Sequence, residues 1–305
     1  MIRPLMTADR RPPNVLLIGA PRCASTSLAI AMAQHPSMFL CTPKEPHFLA
    51  MHGRSAEICG IGNENFAPRH RPSQDQWLDL FAGRTEPCLL DASVSTISYP
   101  DTAIPNIERF CGTDTRLVVI LRNPVDRAFS SYQYCLSKGW DAGSFEDCLD
   151  HEASRIAEGW QHLWFLKHLS QYEHRLPPFL EAFGADRMHI VITEEMAADP
   201  ARVMRGVFAF LELPDFAAGS VPRYNSSGVP RSRIMRNLVA FARRQPALRG
   251  TLRALSTGAV REKLRSSNVE KAAMAPLTRD RLQRELSATR PWVEELIGRR
   301  LDAWG

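Results

Sequence analysis

Short apolar runs punctuate the chain at residues 15–18, 38–41, 88–91, 117–121 and 189–193. Between them lie stretches with one apolar face at helical spacing, residues 25–34, 74–81, 125–136 and 162–183. The short runs are continuously apolar rather than alternating, which fits strands covered on both faces. Strands alternating with helices predict an α/β fold with a central parallel sheet flanked by helices, and the loop after the first strand makes it P-loop-type. Beyond Leu213 the strand signals stop, and residues 214–230, rich in Pro, Gly and Ser, read as a long loop. Pro291 is placed to start or kink a last helix ending near Trp304. Residues 53–72 show no period and read as a surface excursion. The pattern divides the chain into a flexible tail, residues 1–13, and one domain, residues 14–305, helical and basic from about 231.

Composition narrows the class. With 305 residues, 44% hydrophobic and 23% charged, the chain can bury a sizeable core. No apolar run approaches a membrane span. The first residues carry Arg3, Arg10 and Arg11 without the apolar stretch of a secretory signal. Seven cysteines, scattered and without a CxxC pair, argue against a disulfide framework or a zinc site and for a reducing, cytoplasmic location. The net charge of +5 is concentrated: residues 223–265 hold eleven Lys/Arg and a single acid, Glu262. This segment reads either as solvated basic helix faces or as an attractor for an anionic ligand, carrier or membrane surface. Nucleic acid is disfavoured, because no zinc finger, RNP motif or aromatic-basic interleaving accompanies the charge.

Two segments carry chemistry. The first runs from Asn14 to Leu28, strand, turn and helix start. Gly19 and Ala24 occupy the glycine positions of GxxxxGK[ST], Ser25 stands in place of the Lys, and Thr26 keeps the hydroxyl. Gly19 is expected to permit a sharp exit from the strand, and the helix's first amides then face an anion. Arg22 is the nearest replacement for the missing lysine. The second segment, residues 116–132, repeats the strand–turn–helix plan. Arg122 ends its strand where open α/β sheets bind ligands. Pro124 suits a first helical turn, and Ser130 follows two turns on. An Arg and a hydroxyl so placed can clamp one phosphate from two sides; alternatively, Arg122 pairs with Asp126.

Together these segments resemble the sulfotransferases that use 3′-phosphoadenosine 5′-phosphosulfate, nearer the heparan-type and bacterial carbohydrate or small-molecule branch than the cytosolic aryl branch. The matching motifs are residues 19–28, the stretch Leu121 to Ser130, Lys44-Glu-Pro-His-Phe48, the run from Ile190 to Leu213, and residues 296–304. The resemblance implies sulfuryl transfer to a hydroxyl or amine of a carbohydrate or small molecule, with no metal required. It implies that Gly19, Arg22, Cys23, Ala24, Ser25, Thr26 and Ser27 surround the 5′-phosphosulfate. Arg122 and Ser130 would hold the 3′-phosphate, joined by Ser227, Gly228 and Arg231 of a covering loop. Glu45 matches the family's acidic base, with Asp91 and His47 as the other candidates. Each has a plainer reading: Glu45 as a surface partner of Lys44, Asp91 as a turn cap, His47 as a packed core residue.

The chain also departs from the family. Arg22 stands where Lys is common, which gives a permanent charge and forked geometry. Ala24 replaces a glycine, which is tolerable only if its backbone avoids positive φ. Asp91-Ala-Ser-Val94 lacks the family's Lys and Pro. Cys23, in the loop, is expected to pack, although a helix N-terminus lowers thiol pKa values. Two other readings stay open, a P-loop kinase with Asp91 on magnesium and a catalytically silent nucleotide-binding protein. Residues 53–72, 140–143 and 160–164 are the candidates for lining an acceptor pocket.

Overall fold

The computed structural model describes residues 10–54, 58–65, 70–217, 219, 229–230, 269–270 and 273–305. Five parallel strands form the central sheet: β1 (Val15–Gly19), β2 (Met38–Leu40), β3 (Cys88–Asp91), β4 (Arg116–Leu121) and β5 (Met188–Ile192). Their order is β2-β3-β1-β4-β5. All five residues of β1 and all four of β3 are buried; β1 is apolar throughout, and β3 ends on the buried Asp91. The connection from β1 runs to β2 on one side and that from β4 to β5 on the other, so a topological switch point lies between the C-terminal ends of β1 and β4, where open sheets bind ligands.

The helices in chain order are α1 (Ser25–Met32), α2 (Phe48–Met51), α3 (Gln74–Leu78), α4 (Pro100–Phe110), α5 (Pro124–Ser137), α6 (Phe145–Asp150) and α7 (Glu152–Ala157). There follow α8 (Tyr172–Arg175), α9 (Pro177–Phe183), α10 (Thr193–Ala198), α11 (Pro200–Phe210), α12 (Pro276–Glu285) and α13 (Thr289–Ile297). Local chemistry starts α5. The Asn123 side chain accepts from Val125 N at 3.1 Å and Asp126 N at 3.2 Å, and Pro124 takes the first position, where its missing N–H costs nothing. Among the described residues no helix is long and apolar enough to cross a membrane.

Several expectations are corrected. The stretch 162–183 is not one helix but two 3₁₀ turns followed by α8 and α9. Two causes are visible. The fully buried Arg127 draws in the carbonyls of Phe165 and Leu166, and Pro177 with Pro178 removes two successive backbone donors. Thr193 opens α10 rather than closing β5. The last helix ends at Ile297, and Trp304 closes a separate 3₁₀ turn. Pro291 lies in the first turn of α13, two residues after Thr289 starts it. Strand pairing does recur beyond Leu213, in a two-residue antiparallel ribbon of Val229–Pro230 (β6) with Val269–Glu270 (β7). The tail is held over its last residues: Arg10 pairs with Asp79 at 2.7 Å, and Arg11 donates to Glu86 O at 2.9 Å.

Gly19 is needed for a different reason from the one expected. Its φ is not positive, but a Cβ built there would lie 2.5 Å from Ile97 Cγ2. The glycine lets the turn after β3 press against the end of β1. All seven cysteines are free.

Candidate active site

A cavity of about 730 Å³ opens at the C-terminal ends of the sheet. The segment after β1 gives it Pro21, Arg22, Ala24, Ser25 and Thr26. The end of β4 and helix α5 give it Arg122, Ser130 and Tyr134, with Lys138 at the C-cap of α5. The segment after β2 gives it Lys44, Glu45 and His47. The two phosphate elements read from the sequence therefore face one space, with the acidic motif on its wall.

The loop is more strained than its sequence suggests. Arg22 has φ 71° and Ala24 φ 64°, both left-handed, so the expectation that Ala24 would avoid positive φ is overturned. Such a backbone alternates its peptide planes and lets amides converge on an anion. Gly19, Cys23 and Ser27 do not line the cavity. Cys23 is fully buried, 3.8 Å from the Tyr172 hydroxyl, and burial pushes its thiol up to about 11. It packs, and the helix N-terminus does not make it acidic.

The alternative pairing of Arg122 with Asp126 is not made. Asp126 binds Arg279 at 2.8 Å, and the Arg122 guanidinium turns to the loop, 3.5 Å from Arg22 O. The backbone of Arg122 is fixed by Tyr172, whose hydroxyl donates to Arg122 O at 2.9 Å. Ser130 is buried on the face of α5 toward the cavity.

Glu45 is both paired and in the cavity. One carboxylate oxygen lies 2.6 Å from Lys44 Nζ and the other 3.9 Å from His47 Nε2. Lys44 also donates to Ala92 O at 3.3 Å, which ties the segment to the end of β3. His47 has φ 58°; its ring Nδ1 meets Ser95 Oγ at 2.8 Å and its amide donates to Ser93 Oγ at 3.0 Å.

Asp91 is a correction. It does not line the cavity, and its side chain is fully engaged behind it. It accepts from Trp77 Nε1 at 2.9 Å, Ser93 N at 3.0 Å and Ser93 Oγ at 2.6 Å. Burial raises its pKa against the lowering pull of those bonds. Asp91 thus caps the turn that presents Ser93 to His47, and so supports the acidic motif from behind. It is not placed to take a proton from an acceptor or to hold magnesium at the cavity.

Sequence reasoning missed Tyr134, Lys138 and Thr193 and named Trp140, Gln161 and His162 only as parts of regions; all six line the cavity. Ser130, Tyr134 and Lys138 recur every four residues along α5, a spacing that puts them on one face and was legible in advance. Of the acceptor candidates, Trp140 and residues 161–163 line the space, and Trp160 and Trp164 pack behind them. Within the 53–72 stretch, Ile61 contributes structurally: its O accepts from Gln161 Nε2 and Trp164 Nε1, each at 2.9 Å. Ser227, Gly228, Arg231 and nearly all of the basic segment 223–265 lie outside the described residues.

Fold and site define an α/β protein whose five-stranded parallel sheet brings two strand–turn–helix segments to one cavity. A family model described as the sulfotransferase family matches residues 102–217. The chain is 25% identical over 221 residues to the bifunctional heparan sulfate N-deacetylase/N-sulfotransferase 1 of Caenorhabditis elegans, covering 70% of this chain and 24% of that protein. It is 28% identical over 206 residues to mouse heparan sulfate glucosamine 3-O-sulfotransferase 3B1, covering 66% of this chain and 46% of that one. The chain thus spans less than half the length of these two relatives. A solved sulfotransferase from Alicyclobacillus acidocaldarius superposes with a TM-score of 0.74 at 25% identity, covering 96% of this chain and 98% of its own. The chain is similar to the sulfotransferase family over residues 102–217 and to a solved sulfotransferase over nearly its whole length.

Proposed function

We propose that this protein transfers a sulfuryl group from 3′-phosphoadenosine 5′-phosphosulfate to a hydroxyl or amine of a carbohydrate or small-molecule acceptor. The observation that carries the reading is the meeting of two anion elements, Arg22–Thr26 and Arg122 with Ser130, in one cavity that also holds Glu45. A nucleotide with phosphates at both ends of its ribose needs two such elements. The left-handed backbone at Arg22 and Ala24 suits it, since a peptide nest binds phosphate through N–H groups.

When bound, the donor supplies a sulfur centre whose bond to a phosphate oxygen breaks as the acceptor's bond to sulfur forms. The protein's own groups have separate tasks. The amides and hydroxyls of Ser25 and Thr26 hold the 5′-phosphate at the start of α1, where the helix dipole favours negative charge. Arg22 offers a fixed cation to the departing oxygen, the kind of preorganised donor that stabilises developing charge. Arg122 and Ser130 hold the 3′-phosphate. Glu45 takes the acceptor's proton, with Lys44 and His47 fixing its carboxylate. Trp140, Gln161 and Leu163 form the acceptor's wall. The heparan-modifying relatives support a carbohydrate acceptor, and Trp140, largely buried, contributes an edge of the cavity lining.

Calorimetry on Arg122→Ala tests the reading. A charged hydrogen bond contributes about 1.5–3 kcal/mol, so affinity for 3′-phosphoadenosine 5′-phosphate should fall by about tenfold or more. The variant should show no such loss for adenosine 5′-phosphate, which lacks the 3′-phosphate. Unchanged affinity for the bisphosphate would remove the donor assignment.

A further inference from the structure

Two alternate carbonyls of the phosphate loop are gripped from the protein side. Arg127 Nη1 donates to Pro21 O at 3.4 Å, and Thr193 Oγ1 lies 2.9 Å from Cys23 O. Between them the Cys23 amide closes a turn onto Ala20 O at 3.3 Å. In a trans peptide the carbonyl and the following N–H point opposite ways. Fixing the Pro21 carbonyl on the buried Arg127 and the Cys23 carbonyl on Thr193 therefore turns the amides of Arg22 and Ala24 away from those two groups. Arg22 and Ala24 line the cavity, and Cys23 between them is fully buried. They are also the loop's two left-handed residues, a conformation costly for a side chain with a Cβ and kept only where the surroundings enforce it.

Both grips come from well-anchored groups. Arg127 is fully buried, and its guanidinium also donates to Ser170 Oγ at 2.7 Å, Phe165 O at 2.8 Å and Leu166 O. Its hydrogen-bond partners are all neutral, and the nearby Glu152 carboxylate is engaged with the amides of Lys167 and His168. Thr193 stands at the first position of α10, with its hydroxyl also 2.8 Å from Leu121 O, so the end of β4 and the loop share one proton. The loop is thereby registered against β4, α5 and α10.

We infer that Arg127 and Thr193 are positioning residues that set the phosphate loop in its anion-binding shape before nucleotide arrives. The inference rests on the donor reading given above for the cavity. It also explains how a chain without glycine at residue 24 keeps this loop geometry: two donors from outside the loop replace glycine's conformational freedom.

The test compares Thr193→Val, which removes the hydroxyl and keeps the shape, with Thr193→Ser, which keeps the hydroxyl. Arg127→Lys, which keeps the charge and loses the fork, is the second site. Calorimetry follows 3′-phosphoadenosine 5′-phosphate and, for the loop alone, inorganic pyrophosphate; kinetics follow donor and acceptor KM. Thr193→Val and Arg127→Lys should each weaken both anions by about three- to tenfold, the range of one hydrogen bond. Donor KM should rise with acceptor KM unchanged, and Thr193→Ser should restore wild-type values. Equal pyrophosphate affinity in Thr193→Val and wild type, or a lowered Tm with unchanged affinity, would overturn the inference. If instead the wild type binds pyrophosphate but gains nothing from the bisphosphate nucleotide, the donor reading falls and the loop comparison still decides this one.

Discussion

The guanidinium of Arg22 lies over the ring of Tyr134, with its central carbon 4.3 Å from the ring centroid. Lys138 Nζ stands 5.0 Å from the same centroid. Tyr134 is thus a platform on α5 for a cation that begins in the loop after β1. An arginine suits it better than a lysine, because a planar guanidinium stacks and an ammonium does not. Burial lowers the Arg22 pKa, with Tyr134 opposing that effect and Arg122 adding to it, yet arginine stays protonated at any working pH.

This contact gives a graded prediction. Arg22→Ala should lower turnover by about 10²–10³-fold, the usual cost of losing a transition-state donor. Tyr134→Leu keeps the cation but frees it. A cation–π contact is worth about 0.5–2 kcal/mol, so turnover should fall by about three- to thirtyfold, with little change in nucleotide affinity. Tyr134→Phe keeps the ring and should behave as wild type. Wild-type turnover in Tyr134→Leu would show that the ring does not aim Arg22.

Glu45 and Asp91 were rivals in the sequence and separate cleanly in the structure. Glu45 lines the cavity with Lys44 and His47 beside it; Asp91 is held by Trp77 and Ser93 behind the wall. Glu45→Gln should lower turnover by about 10²–10⁴-fold with nucleotide affinity retained, the signature of a lost general base. Asp91→Asn keeps an acceptor for Ser93 and should cost far less turnover, its main effect being a lower Tm. The opposite ranking in steady-state kinetics would move the base to Asp91 and require the wall to open.

What the sequence made legible follows from where its information is local. Apolar runs gave the five strands, because burial on both faces leaves no polar positions. Pro124 marked the start of α5, because a first helical turn tolerates a residue without an N–H. Arg122 and Ser130 met at the cavity, because strand end and helix face are set by short-range geometry. The failures were tertiary. The glycine position that Ala24 occupies hinted at a left-handed backbone; what holds an alanine there is Thr193 and Arg127, far along the chain. The fate of Asp91 depended on Trp77 reaching it from α3. The break of residues 162–183 came partly from prolines, which were readable, and partly from Arg127 taking two carbonyls, which was not.

His162 supplies a prediction about acid stability. It is buried on the cavity wall, and desolvation pushes its pKa down to about 4, with Glu45 pulling it up and Arg127 pushing it further down. An unfolded histidine titrates near 6.5. Between those values the unfolded chain takes up a proton that the folded chain refuses, so falling pH favours unfolding. The contribution is intact above about pH 6.5 and is lost progressively as pH approaches about 4, reaching up to about 3 kcal/mol. His168, also lowered to about 4 by burial but less deeply placed, acts in the same direction. Urea unfolding at pH 7.5, 5.5 and 4.5 should show wild-type stability falling more steeply than that of His162→Gln. Glutamine fits the polar wall and carries no titrating group. The variant starts lower at pH 7.5, through lost packing, and the gap should narrow as the solution is acidified. Parallel curves for the two proteins would mean that His162 binds its proton as readily folded as unfolded, and that the wall beside Glu45 is wetter than its geometry indicates.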